Sequence, residues 1–261
     1  MVNLDILLSA VETSMFLLPE LPGRVEWLNI PGLRGRISAG SDLFANLAGA
    51  STLDGVSADA TVHQVYDLFA GQNKEFGWVV GPLSTPADLP RRLEGAGLEL
   101  AEEMAGMILT DLSVPIRVNP AVRIREASPA DLEPASLLLA SALGISPDGA
   151  HLITEALLLS QGTIRGRVYL AYLENGPEPV GYASMVYLPG QPVVALYCAA
   201  TQEAYRGQGV YTSLVARRLE DAYRDDIRAA VIQAVRETSA PICRKLGFAE
   251  IGGLEWYAWF P

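Results

Sequence analysis

The stretch from Val193 to Leu219 constrains the fold more than any other part of the chain. Val193-Val194-Ala195-Leu196-Tyr197-Cys198-Ala199-Ala200-Thr201 is an apolar run, Gln202 to Gly209 is a short polar turn with two glycines, and a helix-period pattern starts at Val210. The succession predicts strand, loop and helix. A helix start exposes unpaired N–H groups and partial positive charge, and Gly207 and Gly209 have no Cβ to hold a ligand off the backbone. Such a junction suits a phosphate or pyrophosphate. Val210, Leu214, Val215, Leu219 and Ala222 share one face of the helix, and Arg217, Arg218, Glu220 and Asp221 are expected mostly on the other.

Spacing separates the phosphate loops that compete for this signal. A Walker loop needs Gly-Lys-Ser/Thr after four residues, and a dinucleotide fingerprint needs a third small residue where this chain has Thr212. The pattern Arg-x-x-Gly-x-(Gly/Ala) is met by Arg206 and Gly209, with Tyr211 in place of the final small residue. In this the chain resembles the GNAT superfamily of acyl-CoA-dependent N-acyltransferases. The neighbours follow in the family's order: a strand over 228–235, a helix over Ser239-Ala240-Pro241-Ile242-Cys243-Arg244-Lys245 capped by Leu246-Gly247-Phe248, and a last strand over 255–260. Upstream, Val122 to Ala127 reads as an opening strand and Ser128-Pro129 as a helix start. A second helix is expected over 148–159, then a hairpin of 167–173 and 180–188 through Asn175-Gly176-Pro177.

The first half repeats this order at lower definition. Helix patterns over 5–18 and from Val62 to Phe69, strands over 24–29, 33–38 and 76–80, and a helix over 87–94 stopped at Gly95 or Gly97 lead to strands within 98–112. Thr85 is expected as N-cap of that helix, with Pro86 its first residue. The segment 40–60 reads as loop with at most a short helix. Aligning Gly97-Leu98 with Gly247-Phe248 sets strand 76–80 against strand 228–235, and Met107 to Leu112 against Leu254 to Phe260. The expected fold class is α/β (α+β), with two GNAT-like domains in tandem, each a mixed central sheet flanked by helices. Residues 1–118 form a degenerate domain and 119–261 the catalytic one, joined by a linker at 113–120. In the first half only Arg34 to Gly40 resembles the loop, and it puts Ile37 where the middle glycine belongs.

Charge and cysteines bound the function classes. The net charge is -11, and residues 1–120 hold 7 basic and 15 acidic side chains. An acidic chain argues against nucleic-acid binding and tolerates a cationic acceptor. No apolar run reaches the length of a membrane span and no basic leader opens the chain, so a cytoplasmic protein is expected. Two cysteines, Cys198 and Cys243, and two histidines, His63 and His151, in different halves make no metal-ligand spacing. No metal is expected, and association into a homo-oligomer stays open.

The resemblance implies acetyl-CoA as co-substrate and an amine as acceptor. Cys198, Ala199, Ala200 and Thr201 would hold the pantetheine arm through their main chain, and Arg206, Gly207, Gln208, Gly209, Val210 and Tyr211 the pyrophosphate. Ser239 would touch the pantetheine or cap its helix. In the family a tyrosine four residues before the Gly-Phe glycine gives the leaving thiolate its proton; here that position is Cys243, either a thiol acid or a small buried residue. A base for the ammonium is expected from Glu155 or Glu237, with His151 and the Pro261 carboxylate as further candidates. The runner-up to an N-acetyltransferase is a protein of the same fold that binds acyl-CoA as a sensor without turnover; the third class is a structural interaction module with an empty loop.

Overall fold

The chain starts with helix Leu4–Thr13 (α1), whose Asn3 cap accepts the Asp5 N–H, and a 3-10 turn follows at Ser14–Phe16. Short strands Val25–Trp27 (β1), Arg34–Ser38 (β2) and Leu47–Gly49 (β3) come next, then helix Ala58–Ala70 (α2), strand Phe76–Val80 (β4), helix Leu89–Gly95 (α3) and strand Glu99–Leu109 (β5). The second half runs Val122–Glu126 (β6), Leu132–Leu143 (α4), Pro147–Leu159 (α5), Gly166–Leu173 (β7), Gly181–Tyr187 (β8), Val193–Thr201 (β9), Val210–Arg224 (α6), Ala229–Val235 (β10), Ser239–Lys245 (α7) and Ala249–Trp259 (β11). The computed structural model describes residues 2–159, 164–174 and 176–261, so Asn175 of the expected turn lies outside the described residues.

All eleven strands join one sheet in the order β1-β2-β3-β4-β11-β5-β10-β9-β8-β7-β6. The expected fold class is borne out, and the two expected sheets run together into one. About its middle the order is symmetric: β3 runs parallel to β4 as β9 runs parallel to β10. The repeat also shows in sequence, because α3 and β5 lie 150 residues before α7 and β11. That offset places Met104–Leu109 against Leu254–Trp259, several residues from the alignment expected for the last strands.

The last strands are exchanged between the halves. β5 leaves its own half to pair with β10, and β11 pairs with β4, both antiparallel, while β5 and β11 pair with each other. α1 seals the junction: Leu7, Ala10 and Val11 pack with Val193, Ala195, Ala229 and Val231 in one buried cluster. The C-terminal aromatics serve this exchange. Trp256 meets Phe44 edge-on at 4.9 Å and Trp259 meets Tyr66 at 5.3 Å.

Two expectations are corrected here. Leu47–Gly49 is a strand inside the segment read as loop, too short to show a period. Thr85 and Pro86 do not open α3, which starts at Leu89 with Asp88 as N-cap. Thr85 is held in extended backbone instead, its N–H donating to the Ser51 carbonyl and its hydroxyl to that of Leu53.

At the β4–β11 pairing, a Cβ on Gly77 would lie 2.2 Å from Nε1 of the buried Trp256. Gly77→Ala is therefore expected to destabilise the chain by about 1–3 kcal/mol through overpacking. Equilibrium urea unfolding reads it; an unchanged midpoint would show that Trp256 can move aside.

Candidate active site

The site begins where two parallel strands part. β9 and β10 are paired only from Val193–Ala195 to Ala229–Val231, after which their peptide groups lose each other. On its other edge β9 stays paired with β8, with a bulge that sets Tyr197 and Cys198 against Ser184. Burial follows the parting: Val193 to Leu196 are buried, and Tyr197, Cys198 and Ala199 are half-buried. Peptide groups on the β10 side of this segment are free of the ladder and open to a ligand.

The bulge has a guanidinium beneath it. Arg218 of α6 has no solvent exposure, and it donates from Nη1 to the Ser184 carbonyl at 2.9 Å and the Tyr197 carbonyl at 3.3 Å, and from Nε to Leu214 at 3.1 Å. Its Nη2 has no acceptor and, among the described residues, no carboxylate pairs with it. Burial lowers its pKa from the usual arginine value. This corrects the helix reading: Arg218 and Asp221 lie on the buried face of α6. On the other face of β9, Arg36 of β2 donates to the Met15 carbonyl at 2.6 Å and to that of Phe44. It acts electrostatically on Cys198 together with Arg218. Burial outweighs both cations and pushes the Cys198 thiol up to about 12, so this cysteine stays protonated at neutral pH.

Beyond the β9 end, residues 202–209 form the loop that leads into α6. Gly207 and Gly209 take φ of +74° and +78°, a left-handed conformation that side chains disfavour, and a Cβ on Gly207 would meet nothing within 4 Å. Gly209 is the N-cap of α6 and no side chain caps the helix, so its first N–H groups point outward unclaimed. Two contacts steady the loop: Arg206 Nε donates to the Thr201 carbonyl at 3.3 Å, and Asn119 Nδ2, from the linker, donates to the Gln208 carbonyl at 2.8 Å. The matching place in the first half is built differently. There Asp54 accepts from the N–H groups of Val56 and Ser57, both at 2.9 Å, just ahead of α2. This carboxylate closes the turn that leads into α2 and does not cap the helix, whose N-cap is Ser57, and hydrogen bonds from Ser57 keep its pKa below the usual value. The Arg34 to Gly40 string forms β2 and precedes no helix.

The remaining expected residues fall in two groups, on opposite faces of the sheet. With α6 and α7 come Cys243, fully buried, and Ser239, half-buried; Thr238 holds the N-cap position of α7, so Ser239 is not its cap. The Tyr211 hydroxyl lies 3.7 Å from the Cys243 sulfur. Burial pushes the Tyr211 phenol and the Cys243 thiol above their ordinary values, and Arg218 works against that rise in both. With α4 and α5 comes Glu155, in a bidentate pair with Arg24 of the first half at 2.6 Å. His151 lies 3.9 Å from Glu155 and 3.8 Å from Glu133. A cleft of about 240 Å³ adjoins this cluster, walled by Arg24, Ser38, Asp42, Asp148 and His151, so both halves line it. Glu237 is exposed just before α7. Pro261 follows β11, whose last residue Trp259 pairs with Phe76 of β4, so its carboxylate belongs to the first half's part of the sheet and not to the β9–β10 gap.

Arg36, Arg24 and Arg218 were not singled out from sequence. Arg218 carried a signal, falling four residues after Leu214 on the apolar stripe of α6. The two first-half arginines carried none, since only folding brings them to the second half.

Among curated proteins, none matches the sequence. Residues 146–248 match the model of the acetyltransferase (GNAT) family. The whole chain is similar in fold to a GCN5-related N-acetyltransferase from Kribbella flavida, at 16% identity and TM-score 0.69 over 95% of this chain and 93% of that one. It is also similar to a tandem GNAT protein from the clavulanic acid biosynthesis pathway, at 15% identity and TM-score 0.63, covering 95% and 87%. A GCN5-related N-acetyltransferase from Sphaerobacter thermophilus shares 12% identity at TM-score 0.61, covering 87% and 80%. Residues 146–248, which hold the parted strands, the glycine loop and α7, thus match the GNAT acetyltransferase family, within a chain similar in fold to a tandem GNAT protein along almost its whole length.

Proposed function

We propose that this chain is an N-acetyltransferase that moves an acetyl group from acetyl-CoA to a primary amine of a small molecule or protein in the cytoplasm. Residues 119–261 carry the reaction and residues 1–118 form a degenerate repeat. The observation that carries the reading is the opening between β9 and β10 set beside the uncapped N-terminus of α6. The N–H groups from Gly207 to Tyr211 would take the pyrophosphate, and Cys198 to Thr201 would pair with the pantetheine amides as an absent strand would. Ser239 would touch the pantetheine through its hydroxyl. The amine enters from the α4–α5 face, where Asp42, Asp148 and Glu155 favour a cation. Glu155 can receive its proton only if the Arg24 pair opens; Glu237 lies free but exposed. Among the described residues no helix is long and apolar enough to cross a membrane.

A second reading, an acyl-CoA sensor, is favoured by one observation: Glu155, the expected base beside the cleft, is already paired with Arg24. Calorimetric titration with acetyl-CoA, followed by CoA-thiol release against a panel of primary amines, separates the two. Binding with turnover is the expected result. Binding with no turnover on any amine would leave the sensor, and no binding would remove both.

A further inference from the structure

The linker between the halves reaches the glycine loop through one side chain. Asn119 Nδ2 donates to the Gln208 carbonyl at 2.8 Å, across 89 residues of sequence. The carboxamide is held for this contact from its other end. Its Oδ1 accepts the Ala121 N–H at 2.9 Å, which fixes the way the group faces, and the Asn119 carbonyl accepts the Val122 N–H at 3.0 Å where β6 begins. Pro120 restricts the Asn119 backbone to extended conformations, and the Ala121 carbonyl accepts the Glu174 N–H at 2.8 Å just past β7. A rigid donor thus meets an exposed loop whose two left-handed glycines give it many conformers to lose.

The Gln208 carbonyl and the Gly209 N–H belong to one trans peptide group, so they point in opposite directions. With the carbonyl turned to the linker, the Gly209 N–H is turned away from it, and among the described residues no acceptor takes it. Gly209 is the N-cap of α6, so this N–H stands beside the first unclaimed N–H groups of the helix. A hydrogen bond to the carbonyl oxygen also polarises the peptide group and strengthens its N–H as a donor. We propose that Asn119 is a positioning residue for the cofactor loop: it pins the Gln208–Gly209 peptide so that the Gly209 N–H is aimed at the pyrophosphate of acetyl-CoA before the ligand arrives. The role rests on the reading of this loop as the pyrophosphate site. It makes the joint between the halves a part of that site.

The test titrates acetyl-CoA into the full chain and into Asn119→Ser and Asn119→Asp, all isotope-labelled on glycine. Calorimetry reads the Kd, and NMR reads the Gly209 amide at saturation. Serine keeps an oxygen for the Ala121 N–H and is too short to reach Gln208. Aspartate keeps the same turn and sets a carboxylate oxygen against the Gln208 carbonyl. In the parent the Gly209 amide proton is expected to move downfield, as a new bond to phosphate requires. In Asn119→Ser the Kd is expected to rise about tenfold, the scale of one lost hydrogen bond, and the downfield move to shrink to about half or less. Asn119→Asp is expected to bind more weakly still. A merely structural role would leave the Gly209 shift at saturation as it is in the parent. Either variant with the parent Kd, or with a raised Kd and the full Gly209 shift, would overturn the role and leave the acyltransferase standing. So would a parent that binds acetyl-CoA without moving the Gly209 amide. A parent that binds no acetyl-CoA would remove the role and the function together.

Discussion

Residues 119–261 expressed alone are expected to give no cooperatively folded protein. Removing the first half takes β4 and β5 from the sheet. β11 then loses its pairing to β4 at five positions and to β5 at nine, and β10 loses six pairs to β5. α1, which covers Val193, Ala195, Ala229 and Val231, goes as well. A bare central edge of this length invites aggregation. Co-expression of 1–118 with 119–261 is expected to restore a soluble one-to-one complex, because the linker at 113–120 adds little to the sheet itself. Size exclusion and thermal unfolding by circular dichroism read both results. A monomeric 119–261 with a sharp transition would mean that the strand exchange is dispensable.

The second large effect is expected at the glycine loop. Gly209→Asp should weaken acetyl-CoA binding by at least about 100-fold. An aspartate there must adopt φ near +78°, and its Cβ would lie 3.3 Å from Asn119 Cβ; the left-handed backbone by itself costs about 1–2 kcal/mol. Charge repulsion does more harm, because the new carboxylate stands where the phosphate negative charge would sit. Gly190→Asp is the control, since Gly190 has φ of +69° with nothing within 4 Å of a Cβ and lies in the turn before β9. It should lose stability to backbone strain and keep its acetyl-CoA affinity. Equal loss of binding in both would assign the effect to folding and not to the loop.

Much of the fold was legible because local signals agreed. The apolar run before Gln202, the glycines at 207 and 209 and the stripe from Val210 specify strand, loop and helix with no distant contact needed. The duplication was legible for a related reason: Gly97-Leu98 and Gly247-Phe248 stop equivalent helices before equivalent strands. Thr85-Pro86 misled because an N-cap signature is a local preference, and hydrogen bonds to residues 51–53 outweighed it. Arg218 misled because a charged side chain was assigned to the solvent face, while the carbonyls opened by the β9 bulge supply acceptors that make its burial tolerable.

By itself, then, the sequence determined the order of elements, the glycine loop before α6 and the repeat, all properties carried within windows of a few turns. Tertiary structure alone decided that the halves exchange their last strands, that Arg24 and Arg36 of one half reach the site of the other, and that Tyr211 meets Cys243. The physical reason is the same in each case. Strand partners and side-chain neighbours far apart in the chain are chosen by the packing of whole layers, and nothing in a local period records that choice.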